Sequence, residues 1–262
     1  MPSHVILATA TACAGLALST ATLAYQPLIT DDTGTQGEGG NQVELSYARS
    51  TERAEGSKTV TGTVPVGYTR GLADALDLYA GVSHVRMKTD AVATGSGGGN
   101  PVLGAKWRFR EEEKGWSLAL KPEIQFGVSA GAEAKGLGMG RTGWSAMLIA
   151  TRETDFGEFH VNVAYARARF ETEDEISGNR KDLWRLSAAP VWGINDQWKV
   201  ALDLGLQTNS DKTLNSRMAY ALLGAVYSPS KDFDLALGWQ KPFEDGPARV
   251  WQATVGGTWR FR

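Results

Sequence analysis

Alternation of apolar and polar residues with a period of two runs through most of this chain and constrains its fold more than any other feature. In residues 198–207 every even position is Trp, Val or Leu, whereas the odd positions are Lys, Ala, Asp, Gly and Gln. The same pattern occurs in 116–126, 233–240 and 251–261. Successive side chains of a strand point to opposite faces, so the pattern predicts strands with one apolar and one polar face.

The alternation predicts twelve strands. They lie at residues 41–52, 58–70, 75–88, 101–111, 115–128, 142–153, 158–171, 182–193, 197–208, 217–228, 233–243 and 249–261. Each has 11–14 residues, whereas strands of soluble proteins usually have about 5–6. A tilted strand needs about 9–11 residues to cross a bilayer, so this length favours membrane-spanning strands.

The connections between these strands mostly alternate between short turns and longer loops, as in outer-membrane barrels. We call the two ends of the predicted barrel the turn side and the loop side. An even strand count places both ends of the barrel segment on the turn side, which faces the periplasm. The longer loops are residues 89–100, 129–141, 172–181 and 209–216.

Tryptophan positions give an independent indication, because all nine Trp fall near predicted strand ends. Five lie toward the turn side, namely Trp107, Trp116, Trp192, Trp198 and Trp259. Four lie toward the loop side, namely Trp144, Trp184, Trp239 and Trp251. Two aromatic girdles are expected at the two membrane interfaces, whereas a soluble β-sandwich would place Trp in mid-strand.

These features predict an all-β fold: a single transmembrane antiparallel up-and-down β-barrel of about 12 strands, in the outer membrane of a two-membrane bacterium. Its apolar residues face lipid and its polar residues face the lumen. Averaging the two faces explains the unremarkable mean hydropathy of −0.26.

Two segments precede the predicted barrel of residues 41–262. Residues 1–24 resemble a secretory signal peptide, with an apolar run at Val5–Leu18 and small residues up to Ala24. An acylated Cys13 is the alternative. Residues 25–40 are either a lumen plug, in which Asp31 and Asp32 pair with basic lumen residues, or a flexible periplasmic leader.

The inward parity of the strands carries a mixture of charges and polar groups. The predicted lumen lining comprises Glu44, Asp77, Lys106, Arg108, Arg110, Lys121, Glu123, Arg185, Lys199, Asp203, Gln207, Asp234 and Arg260. This mixture fits two interpretations: salt-bridged ladders that brace the wall, or a lining that selects polar and anionic solutes.

A second group of basic residues falls on the outward parity toward the loop side. It consists of Arg49, Arg86, Lys88, Arg167, Arg169 and Lys241. These side chains either pair with lipopolysaccharide phosphates or are simply solvated.

Composition and motifs argue against other functions. The formal net charge of −2 provides no basic field for nucleic acid. One Cys and three His predict no metal site, and no cofactor is expected. The G-x-S-x-G match at 127–131 and the G-x-G-x-x-G match at 138–143 lack the strand-to-helix context that their chemistry needs, so we expect no enzyme. The glycine-rich stretches at 95–99 and 138–143 are predicted to be mobile surface loops.

Several segments resemble the outer-membrane transporter family named for the meta-cleavage pathway of phenol degradation. They are Pro27–Gly37, Gly104–Glu113, Lys121–Glu123, Asp203–Lys212, Tyr227–Leu237 and Gly257–Phe261. The resemblance covers nearly the whole mature chain and implies a passive transporter of small, aromatic or hydrophobic compounds, with no catalytic residues. Expected partners are outer-membrane lipid, lipopolysaccharide, a small-molecule solute and the barrel-assembly machinery. Barrel proteins usually finish on an aromatic residue, whereas here Arg262 follows the aromatic Phe261, which bears on recognition by that machinery.

The sequence therefore predicts a passive channel or facilitator. The alternative is a closed structural or adhesion barrel whose loops contact partners.

Overall fold

The computed structural model describes residues 26–54, 56–90, 94–113, 115–243 and 249–262, so the predicted signal peptide of residues 1–24, with Cys13, lies outside the described residues. These ranges contain thirteen strands and two short helices. In chain order they are β1 (Asn41–Ala54), β2 (Ser57–Ala73), β3 (Leu76–Thr89), β4 (Gly95–Gly98), β5 (Val102–Arg110), β6 (Trp116–Gln125), α1 (Ala130–Glu133), β7 (Gly143–Thr154), β8 (Gly157–Arg167), α2 (Glu173–Gly178), β9 (Asp182–Gly193), β10 (Trp198–Thr208), β11 (Arg217–Ser230), β12 (Phe233–Phe243) and β13 (Arg249–Phe261).

Twelve of these strands form one closed antiparallel barrel, which confirms the predicted fold. Each strand pairs with its neighbours in the chain, and β1 pairs with β13 from Asn41↔Phe261 to Arg53↔Arg249. The extra strand β4 pairs with the loop-side part of β3, whose other end pairs with β5. A closed barrel has no free edge, so its backbone groups are satisfied within the sheet.

Neither of the two helices within the described ranges is long and apolar enough to cross a membrane.

The outer face of the barrel is apolar and aromatic, as the alternation predicts. All nine Trp side chains are between 36% and 55% exposed, and mid-strand Leu237 is 61% exposed. Trp144, Tyr165 and Trp184 form a row across β7, β8 and β9, with ring centroids 5.2 and 4.6 Å apart. Large apolar side chains exposed in such number indicate contact with lipid rather than with water.

The loop side is folded, which corrects the expectation of mobile glycine-rich loops. Residues 95–98 form β4, and the 126–142 connection packs against it. A Cβ atom at Gly97 would lie 3.0 Å from Leu137 Cδ1, and one at Gly138 would lie 2.5 Å from Asn100 Oδ1. The glycines therefore permit close packing of these segments.

Buried polar groups join the long connections to one another. The Glu133 carboxylate accepts hydrogen bonds from the backbone N–H of Gly140, Glu171 and Thr172, at 2.5–3.1 Å. The Arg141 guanidinium donates to the Glu171 carboxylate, and this bond and its charge lower the pKa of Glu171.

The loops of residues 172–181 and 209–216 are joined in the same way. Arg180 donates to the carbonyl oxygens of Asn209, Asp211 and Leu214. Lys212 Nζ donates in return to the carbonyl oxygens of Ile176 and Ser177, at 2.9 and 3.0 Å.

We expect a charge on the lipid face to destabilise the barrel according to its depth. Leu237→Arg, in the middle of β12, should lower the free energy of unfolding by about 2–4 kcal/mol. Leu72→Arg, next to the short turn after β2, should cost about 0–1 kcal/mol. Denaturant titration of folding into lipid vesicles measures both values, and equal costs would contradict a membrane-embedded outer face.

Glu133→Ala should release the loop side, because the carboxylate is the shared acceptor of three loop N–H groups. Hydrogen bonds to a charged group contribute about 1.5–3 kcal/mol. We therefore expect trypsin to cleave after Lys135 and Arg141 at least about tenfold faster. The control is Glu173→Ala in the exposed first turn of α2, which should leave the cleavage rate unchanged. Equal rates in both variants would refute the role of Glu133.

Candidate functional site

Residues 26–40, which we call the N-terminal segment, lie inside the barrel against the inward faces of its strands. The first residues pack on glycines of β11, β12 and β13. Pro27 lies over Gly224 and Gly238, where an added Cβ would come within 2.9 Å of the proline ring. Gln26 lies over Gly256, where a Cβ would be 1.9 Å from Gln26 Oε1. These small inward residues leave the room that the segment occupies.

Leu28 and Ile29 bury their side chains in the wall. They form one cluster with the inward residues of β9, β10 and β11, which we call the wall patch: Ala189, Val191, Ala201, Tyr220 and Leu222. Full burial of a Leu or Ile side chain contributes roughly 1.5–3 kcal/mol. The wall patch therefore attracts the segment through apolar contact.

Asp203 of β10 holds the backbone of the segment. Its carboxylate accepts hydrogen bonds from the N–H of Ile29 and of Thr30, both at 2.7 Å, and from Thr30 Oγ1 at 2.8 Å. Tyr220 adds a fourth donor at 3.1 Å. Three of the four donors to this buried wall carboxylate thus come from the segment.

Asp31 is the main charged contact of the segment and is only 1% exposed. Its carboxylate lies 2.6 Å from Lys121 Nζ and 3.0 Å from Lys106 Nζ. Asn162 fixes the Asp31 backbone, accepting from its N–H at 2.6 Å and donating to its carbonyl at 2.9 Å. Removing one partner of a buried ion pair typically costs about 3–5 kcal/mol, because a buried charge is left uncompensated.

The remainder of the segment continues along the wall to β1. Thr33 N–H donates to Thr151 of β7, and Gln36 N–H donates to the Asp77 carboxylate of β3 at 3.1 Å. Gly37 then passes so close to β2 that a Cβ at Gly71 would lie 1.7 Å from its carbonyl oxygen. The segment therefore contacts strands on all sides of the lumen.

Two cavities flank the Asp31 ion pairs. An open vestibule of about 790 Å³ lies on the turn side and is lined by Asp32, Glu44, Lys106 and Arg260, among others. A small cavity of about 20 Å³ lies between Tyr79, Lys121, Glu123 and Arg185. The second is large enough for a water molecule only.

The structure places the predicted lining residues at different depths inside the barrel. Glu44, Asp77, Lys121, Glu123, Arg185, Asp203 and Gln207 are buried, whereas Lys106, Arg108, Lys199, Asp234 and Arg260 are partly exposed. Arg110 departs from the prediction, because a register shift after Arg108 leaves it exposed at the turn-side rim beside Glu112. Arg260 and Asp234, 2.7 Å apart on adjacent strands, form a cross-strand ion pair of the bracing kind.

Sequence reasoning missed several neutral residues that hold the segment. Asn162, Ser187 and Thr151 donate to or accept from it, and Tyr79 and Tyr220 contact its charged partners. All lie on the inward parity of their strands, so the alternation contained the signal. The predicted lining, however, comprised only charged residues and Gln207.

The two rejected motifs have structural roles. Ser129 Oγ caps α1 by accepting from Ala132 N–H. Ser129 follows the loop-side end of β6, whereas His160 lies near the turn-side start of β8, where it bonds Thr151. The glycines at 138, 140 and 143 are close-contact positions. In the described part of the chain, no group of three or more Cys, His, Asp or Glu residues is arranged to hold a metal ion.

The closed barrel, its aromatic and aliphatic outer face and its polar, charged lumen define a transmembrane β-barrel of the outer-membrane type. A family model described as "Putative MetA-pathway of phenol degradation" matches residues 26–261, and the chain belongs to this family. No curated protein matches the chain.

Solved structures with a similar fold include outer-membrane channels, porins and autotransporter domains. The COG4313 outer membrane channel from Pseudomonas putida F1 aligns with a TM-score of 0.70 and 14% identity, over 88% of this chain and 98% of that one. A KdgM porin in complex with disordered oligogalacturonate aligns with a TM-score of 0.54 and 10% identity, over 84% of this chain and 99% of that one. The NanC porin aligns with a TM-score of 0.53 and 10% identity, over 82% of this chain and 98% of that one. At these identities the likeness shows the fold.

Proposed function

We propose that this chain is a passive outer-membrane channel or facilitator for small solutes, aromatic or hydrophobic compounds among them, and that the N-terminal segment is its plug. One observation carries the proposal: a segment outside the strands places its buried Asp31 carboxylate between two wall lysines inside the lumen. The segment contacts the wall through hydrogen bonds, ion pairs and apolar packing, so it can leave without breaking a covalent bond.

The way in which the lumen is filled supports a removable plug. Eight-stranded barrels are filled by the side chains of their own walls, whereas wider barrels leave space. Here the wall presents small residues to the segment, including Gly224, Gly238, Gly256 and Ala201. Departure of the segment would therefore open this part of the lumen toward the vestibule on the turn side.

The arrangement of the site favours passive transport over catalysis. Ser129 and His160 lie toward opposite ends of the barrel, so they do not form a catalytic pair. Three of the similar folds are channels and porins by their descriptions.

We propose lipopolysaccharide as a second partner. Arg49, Arg86, Lys88, Arg169 and Lys241 are exposed toward the loop side, and Arg167 is paired with Asp182 at 2.5 Å. Guanidinium and ammonium groups at this level suit lipid phosphates. Recognition by the barrel-assembly machinery stays a prediction.

Single-channel conductance in a planar bilayer tests the plug. The intact mature protein should be mostly closed, and a variant without residues 25–40 should conduct steadily. Asp31→Asn should raise the open-to-closed ratio by roughly 100-fold, because the loss of a buried ion-pair partner costs about 3 kcal/mol or more. The matched control is Glu111→Gln, which removes a carboxylate that pairs with Arg108 on the turn-side rim and should leave the open-to-closed ratio unchanged.

Two outcomes would contradict the proposal. Steady conductance of the same size in all variants would show that the segment does not close the lumen. No conductance in any variant, with folding confirmed by circular dichroism, would favour the structural or adhesion barrel instead.

A further inference from the structure

The wall around Asp31 forms a built site for a carboxylate. Lys106 and Lys121 come from the neighbouring strands β5 and β6 and converge on the two oxygens of one carboxylate. Lys121 is 3% exposed, and its Nζ lies 4.9 Å from the centre of the Tyr79 ring. A buried ammonium needs an anionic partner, so these two lysines favour an anion at this position.

The plug fills an apolar site beside this carboxylate site. Leu28 and Ile29 occupy the wall patch, and the chain then reaches the lysines through Asp31. Ile29 and Asp31 are two positions apart in the chain, so their Cα atoms are at most about 7 Å apart. The wall therefore binds an apolar group and a carboxylate within the length of a small organic acid.

Asp203 separates the two sites and limits what can replace the plug. Its carboxylate accepts hydrogen bonds from backbone N–H groups of the segment. Once the segment has left, this negative carboxylate would repel a second negative charge on a solute. A cationic solute would be repelled by Lys106 and Lys121. A single carboxylate attached to an apolar body matches the remaining contacts.

We infer that the channel takes small organic acids with one carboxylate on an aromatic or aliphatic body, and that such an acid replaces Asp31 at Lys106 and Lys121. This inference rests on the proposed function, because it assigns a substrate class to the plugged lumen. A solute that binds these lysines only when Asp31 has left stabilises the open state in proportion to that differential affinity. The plug thus acts as an internal competitor of the solute.

The test is single-channel recording of the intact mature protein at constant ionic strength with three probes. They are 3-phenylpropanoate, its uncharged amide 3-phenylpropanamide, and acetate, which has a carboxylate and almost no apolar body. We expect 3-phenylpropanoate to raise the open-to-closed ratio at least tenfold, and its half-saturating concentration is the one that doubles this ratio, because the acid binds the open state alone. The amide and acetate should change it less than twofold.

Two variants separate binding from simple loosening of the plug. Asp31→Asn should start with a raised open-to-closed ratio, and 3-phenylpropanoate should multiply that ratio by about the same factor as in the intact protein, because Lys106 and Lys121 of the open state are unchanged. Lys106→Gln removes one ligand of the carboxylate and should raise the half-saturating concentration at least tenfold. The matched control is Lys231→Gln, a lysine of the same vestibule on the turn between β11 and β12, which should respond as the intact protein does.

The possible failures are distinguishable. An equal response to the acid and the amide, an equal response to acetate, or an unchanged half-saturating concentration in Lys106→Gln would each overturn the organic-acid assignment. If the variant without residues 25–40 and Asp31→Asn open the channel but 3-phenylpropanoate has no effect, the plug stands and the substrate class is wrong. If neither variant opens it, both proposals fail.

Discussion

Closure of the sheet is the constraint on which the rest of this structure depends. Pairing of β1 with β13 completes a ring of twelve strands in which no edge strand faces lipid. Because backbone groups are satisfied by the ring, the outer face is free to consist of Leu, Val and Trp side chains. The same closure encloses a lumen in which charged side chains face one another rather than bulk water.

The lumen is filled in part by chain rather than by wall side chains, and this arrangement links stability to function. Wall acids Asp203 and Asp77 accept backbone N–H groups of the N-terminal segment, while wall lysines bind its Asp31. The segment thus supplies hydrogen bonds or an opposite charge to each of these wall residues. Moving the segment away therefore has a substantial cost, and in the mechanism that we propose a solute opens the channel by offsetting this cost.

The loop side illustrates how polar groups shape an end of the barrel. The Glu133 carboxylate accepts hydrogen bonds from loop N–H groups, and the Arg180 guanidinium donates hydrogen bonds to loop carbonyl oxygens. The loop backbone therefore stabilises both charges. Glycines at the contact points permit the close approach of neighbouring segments. Their frequency in these stretches resembles that of mobile linkers, and composition alone does not distinguish the two cases.

The sequence by itself determined the barrel, because a period of two fixes which side chain faces lipid and which faces the lumen. Strands long enough to cross a bilayer, the outward Trp side chains and the inward parity of Lys121 and Asp203 all follow from that local rule. Only the tertiary structure decided that Asp31, rather than Asp32, lies between Lys106 and Lys121, and that Asn162 and Asp203 hold the backbone beside it. These contacts join residues far apart in the chain, and the closed barrel alone brings them within hydrogen-bonding distance.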